Sequence, residues 1–174
     1  MRFKNHISRN DDGMSAVEFA LIAPIMIATY FGAYEICDVL LVDRKVTDIC
    51  AATTDLVAQA NQISNTVIAE IFHATGASIT PYTLTNLQIK VTSVIANAAG
   101  NTTVAWSDGY HTTARAVGSS YTLPAGLISP GGSVIMSEVT YTYSTPIGQF
   151  VTSGLTISDS FFQKPRLVIQ IPRV

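Results

Sequence analysis

Two hydrophobic periods divide the chain. From Met14 to Val42 apolar residues run almost without interruption, and the charges among them are Glu18, Glu35 and Asp38. A bilayer span needs about 20 such residues, so this segment is long enough to cross one. From Val42 a helical period takes over. Val42, Val46, Ile49, Thr53, Leu56, Ala60, Ile63, Val67 and Ile71 recur every three or four positions, while Asp43, Lys45, Asp48, Asp55 and Gln59 fall off that stripe. The pattern predicts one long helix from about Ser15 to about Gln62. A second helix follows over Asn65 to Thr75, with Ser64 or Asn65 as its N-cap and Gly76 as its stop.

Beyond Pro81 the period falls to two. Leu87, Ile89 and Val91 alternate with Gln88, Lys90 and Thr92, which predicts a half-buried strand. Further strands are predicted over Thr102 to Ser107, Ser133 to Tyr143, Leu155 to Phe162 and Leu167 to Ile171. "NAAGNTT", "PAGLISPGG" and "TPIGQF" interrupt them. Short, turn-rich links favour an antiparallel sheet. The amphipathic stripe is either a coiled-coil seam or a face that packs on that sheet, and the second choice gives an α+β fold. The expected regions are a hydrophilic leader (1–13), an apolar helix (14–42), an amphipathic helical region (43–80) and a β-rich domain (81–174).

Composition sharpens this picture. Of the 174 residues, 13% are charged, about half the usual ~25% of soluble domains. Net charge is −2, so nothing points to nucleic acid as a partner. Arg2, Lys4 and Arg9 precede the apolar run, and Arg44 and Lys45 follow it amid Asp43 and Asp48. That balance favours a cytoplasmic N-terminus. A cleaved secretory signal fits less well, because the helical pattern continues past Gly32-Ala33 without a break. Cys37 and Cys50 lie on one predicted helix, about 20 Å apart at 1.5 Å per residue. That is too far for an intrachain disulfide, and the pair reads chiefly as two small buried side chains, with a disulfide between chains or a lipidation site as the alternatives.

Candidate chemistry is sparse. His6, His73 and His111 show no ligand spacing, and no metal or cofactor motif is present. Ser107, Asp108 and His111 are near one another in sequence, but a triad is defined by geometry, and no GxSxG elbow accompanies them. The reading is therefore not an enzyme. Trp106, Tyr110, Tyr121, Tyr141, Tyr143, Phe161 and Phe162 read chiefly as core aromatics.

The most informative stretch is "DDGMSAVEFALIAP", Asp11 to Pro24. Glu18 stands at the edge of hydrocarbon, where an ionised carboxylate is costly. It either snorkels to the headgroups, stays protonated, or meets a cation. Pro24 kinks or loosens a helix by removing an N–H and crowding the carbonyl four residues earlier. The segment resembles the start of the TadE/TadG-like minor pilins, or pseudopilins, of the tight-adherence (Flp) pilus system: Gly13, Glu18, Phe19 and Pro24 match that pattern. "YEICDVLLVDRKVTDICAATTDLVAQA", "VAWSDG", "SEVTYTYSTPIG" and "LTISDSFFQKPR" add weaker echoes.

The resemblance implies cleavage between Gly13 and Met14 by a prepilin peptidase. It also implies an assembly role for Glu18, Phe19 and Pro24, with Glu18 meeting the freed amine of a neighbouring subunit. The implied partners are other pilin-like subunits, the pilus machinery and the inner membrane. The chain would cross that membrane once, hold its C-terminal domain in the periplasm, and serve pilus assembly, adhesion and biofilm formation. A type II secretion-like pseudopilin and a membrane-anchored periplasmic binding module are the alternatives.

Overall fold

The structure is a computed structural model that describes residues 12–124, 126–144 and 154–174. The leader up to Asp11, His6 within it, and "TPIGQF" lie outside the described residues. Helix α1 runs Asp12–Ala58 and α2 runs Asn65–Gly76. Four strands follow: β1 (Leu87–Ala96), β2 (Thr102–Tyr110), β3 (Ser133–Tyr143) and β4 (Leu155–Gln163). They form one antiparallel sheet in the order β2-β1-β3-β4. The chain divides between Asp38 and Val39 into two compact units.

The first unit is helical, and its apolar side chains are solvent-facing on every side. Val17, Phe19, Leu21, Ile25, Tyr30 and Ile36 are all more than half exposed. A helix that is apolar all round belongs inside a larger core or inside a bilayer. Helix α1 continues unbroken through Pro24.

The second unit is an α+β fold in which the amphipathic half of α1 packs on the sheet. Val42, Val46, Ile49, Cys50 and Val57 are buried against Ile89, Val91, Ile135, Val139 and Ile157. The packing face agrees with the stripe at Val42, Val46, Ile49 and Thr53. It departs at Leu56, which is exposed, while Val57 and Ala58 are buried. Leu56 follows Thr53 by a three-residue step, which at 3.6 residues per turn falls short of the buried side, whereas the four-residue step reaches Val57. On β3 the inward positions are Ile135, Ser137, Val139, Tyr141 and Tyr143, all buried. The other face of the sheet is partly covered too, because the connection between β2 and β3 places Arg115 against Glu138 at 2.6 Å. The guanidinium of Arg115 also lies over the Tyr121 ring.

Two expectations are corrected. Helix α1 stops at Ala58 rather than near Gln62, because the Ala58 carbonyl accepts the backbone N–H of Arg166. Ile63 then forms an isolated bridge with Arg173, donating to Pro172 O and accepting from Val174 N. Leu167 to Ile171 is not a strand. Its carbonyls instead take side-chain donors, Ile171 from Trp106 Nε1 at 2.8 Å and Ile169 from Ser133 Oγ. The segment straps the end of the sheet to the end of the helix.

Helix α2 begins as expected. Ser64 is extended, and its Oγ accepts from Val67 N, which satisfies one of the orphan donors of the first turn. The helix ends at Gly76 and tightens into a 3-10 turn, Ala77–Ile79.

Candidate functional site: the apolar helix and its support

Gly13, Met14, Glu18, Phe19 and Pro24 all lie on the first turns of α1. Met14 and Glu18 are four residues apart, so they share one helix face a single turn apart. Gly13 has open space where a Cβ would stand. Met14, Glu18 and Phe19 are exposed. Glu18 is exposed and makes no hydrogen bond among the described residues, and the shielded carboxylate oxygens of Glu35 further along accept none either. The helix is long and apolar enough to cross a bilayer once.

The segment also spans the two units. Its last turns carry the polar contacts that fix α1 to the sheet. Cys50 Sγ donates to Ser137 O at 3.3 Å, and Ser137 Oγ donates to Cys50 O at 2.7 Å. Thr54 closes the same group through Cys50 O and Ser137 Oγ. Burial pushes the Cys50 thiol pKa up, and the nearby Asp159 charge adds to the rise. Asp159 in turn accepts from Thr47 at 2.7 Å. One turn on, Asp55 accepts from Gln163 at 2.9 Å and pairs with Arg166.

Residues 13–53 match the family model of TadE-like proteins. The matched, TadE-like stretch is α1 itself, from its glycine start to the helix–sheet contacts, and it does not include the sheet. The search of curated proteins found no match, and the search of solved structures found none. The TadE-like match associates the helix with the Tad pilus system.

The remaining sequence candidates are dispersed. Ser107 Oγ donates to Val91 O, Asp108 holds the Arg173 fork at 2.9 and 3.0 Å, and His111 Nδ1 sits 3.2 Å from Leu87 O. These three side chains serve separate partners and form no relay. Among the described residues no group of three His, Cys, Asp or Glu side chains is placed to hold a metal. Cys37 is exposed rather than buried, and Cys50 is buried; both are free thiols. Trp106, Tyr141 and Tyr143 are core, as expected, whereas Phe161 is exposed. The Asp108–Arg173 and Glu138–Arg115 pairs were not anticipated. Each joins a strand to a loop or a chain end, and pairs of that kind leave no periodic trace in the sequence.

Proposed function

We propose that this chain is a processed, pilin-like subunit of a Flp/Tad-type pilus. Prepilin peptidase cuts between Gly13 and Met14 on the cytoplasmic side of the inner membrane. The apolar helix then holds the subunit with its globular unit in the periplasm. The freed Met14 amine of one subunit meets Glu18 of its neighbour, and the pair sets the register as subunits stack. A carboxylate in a low-dielectric setting is tolerable only when it is paired or neutralised, and Glu18 has no such partner within the described chain. Phe19 and Pro24 belong to the same packing segment. Subunits assembled in this way serve surface adhesion and biofilm formation.

The observation that carries this reading is the TadE-like match, which begins at Gly13 and runs along the helix that bears Glu18. The test is intact mass and N-terminal mapping of the protein from native membranes, with and without prepilin peptidase. A peptidase-dependent start at Met14 is expected. A chain that begins at Met1 in both strains overturns the processed-subunit reading in favour of an anchored binding module.

A further inference from the structure

The two ends of the globular unit differ in chemistry. Register along the sheet defines them. Thr47 of α1 meets Asp159, Cys50 and Thr54 meet Ser137, and Asp55 meets Gln163 and Arg166. Moving back along α1 towards Val39 therefore moves along β3 towards Tyr143 and along β4 towards its paired residue, Leu155. The Ala77–Leu87 connection joins this end. Lys45 Nζ donates to Ser78 O and Thr80 O, both at 2.9 Å. The Tyr82 ring stands edge-on to Tyr143 and Tyr141 at 6.1 and 6.4 Å.

This end is free of charge outside the helix. Ala77 to Leu87 contains no charged residue, nor does Val139 to Ser144, nor Gly154 to Ser158. What these stretches present is the half-buried Tyr82 together with threonine and serine hydroxyls around the exposed Leu84 and Leu155, while Tyr141 and Tyr143 are buried beneath them. Leu155 is 46% exposed, and on the helix Leu40 and Leu41 are 55% and 52% exposed. The opposite end holds Arg166 with Asp55. Neutral hydroxyls and tyrosines mixed with exposed aliphatic side chains are the chemistry of the lipid headgroup zone, where aromatic rings with a polar tip collect.

We propose that this neutral end, with Tyr82 and Leu155 at its centre and Leu40 and Leu41 beside them, rests in the headgroup layer of a bilayer. The occupant is a lipid surface, and continuity of the chain argues for it. Val39 begins the globular unit immediately after the apolar helix, so this end follows the membrane segment directly. The connecting loops offer no cation, and on the helix Arg44 and Lys45 are balanced by Asp38 and Asp43, so the contact is one without net charge, made by burial and hydroxyl hydrogen bonding. It does not depend on anionic lipid or on salt. The inference rests on the reading of the apolar helix as a membrane anchor.

The experiment uses the full chain with Cys37→Ser, carrying an environment-sensitive fluorophore at Leu155→Cys or, for the opposite end, at Ile169→Cys. Each protein is reconstituted into phosphatidylcholine vesicles, and separately into equal mixtures of phosphatidylcholine and phosphatidylglycerol. Flotation reports anchoring, and quenching by a nitroxide at the shallow end of the acyl chain reports insertion. The expected result is flotation with loss of most Leu155→Cys emission in both lipid mixtures and no loss at Ile169→Cys. Flotation without quenching at Leu155→Cys overturns the docking and leaves the anchor standing. Equal quenching at both positions also overturns it, since the neutral end would then not be the one that inserts. Failure to float overturns the anchor reading itself.

Discussion

Glu18 and Glu35 in the first unit are treated differently from the partly buried acids of the second. In the globular unit the partly buried acids are each engaged: Asp55 with Arg166 and Gln163, Asp108 with Arg173, Glu138 with Arg115 and Asp159 with Thr47. In the apolar helix, Glu18 and Glu35 have no hydrogen-bond partner among the described residues. Apolar side chains follow a similar contrast: the globular unit gathers most of its large ones into a buried core, whereas those of the apolar helix are exposed. A chain folded for water satisfies its own polar groups. One that leaves a carboxylate and a continuous apolar surface open has its partners elsewhere, in lipid or in another subunit.

The sharpest way to break this comparison is at Glu18. Glu18→Leu is expected to abolish incorporation into pili while leaving the denaturant midpoint of the globular unit unchanged. Sheared pilus fractions and an unfolding curve on the same preparation test both halves. A shifted midpoint would mean that Glu18 belongs to the fold after all. The converse substitution is Ile49→Ala, which removes a fully buried side chain from the helix–sheet core. Cavity-forming changes of this kind cost about 2–5 kcal/mol. Ile25→Ala, the same chemistry on the exposed apolar helix, is expected to leave the unfolding free energy where it was.

Arg173→Ala probes a smaller term. Its guanidinium forks onto Asp108 and also donates to Ile63 O and Asn65 Oδ1. Removing it leaves the partly buried Asp108 carboxylate without its donor, while the Ile63 carbonyl keeps the Val174 N–H, at a cost of about 1–3 kcal/mol. Asp108→Asn with Arg173 intact should cost less, because the amide oxygen still accepts a hydrogen bond. Urea titrations of the two variants separate these outcomes.

These variants also mark what the sequence made legible. Long runs were readable because periodicity accumulates over many residues. The apolar helix, the amphipathic half of α1, the Ser64 cap and four of the strands were visible in that way. The failures sit where tertiary partners override local pattern. Ala58 ends the helix because Arg166 arrives from more than a hundred residues away, and no local signal marks that meeting. Leu167 to Ile171 is a short, mostly apolar run like a strand's but finds side-chain donors in place of a ladder. At the candidate site, Gly13, Glu18 and Pro24 stood out because each is out of place in an apolar helix. The small polar group of Cys50, Thr54 and Ser137 was hidden, since small residues on a helix stripe look like ordinary packing.

That polar group yields the smallest predicted effect. Burial holds the folded Cys50 thiol above its ordinary pKa. From about pH 8.5 upward the unfolded chain releases this proton while the folded chain retains it. The folded form then binds more protons than the unfolded form, and stability falls as pH rises towards the folded pKa. Below the unfolded value the contribution is fully present. Cys50→Ala removes the titrating group, so the unfolding free energy should decline less steeply with pH in the variant than in the parent, even though the variant begins from a lower value. A residual decline is expected at higher pH, because burial also raises the Tyr141 phenol. Thiol reactivity checks the same point independently. In detergent, Cys37 should react with a maleimide at once, and Cys50 only at the rate of unfolding. Rapid alkylation of both would show that the helix–sheet contact opens without global unfolding, and the contrast between the two units would then be one of degree.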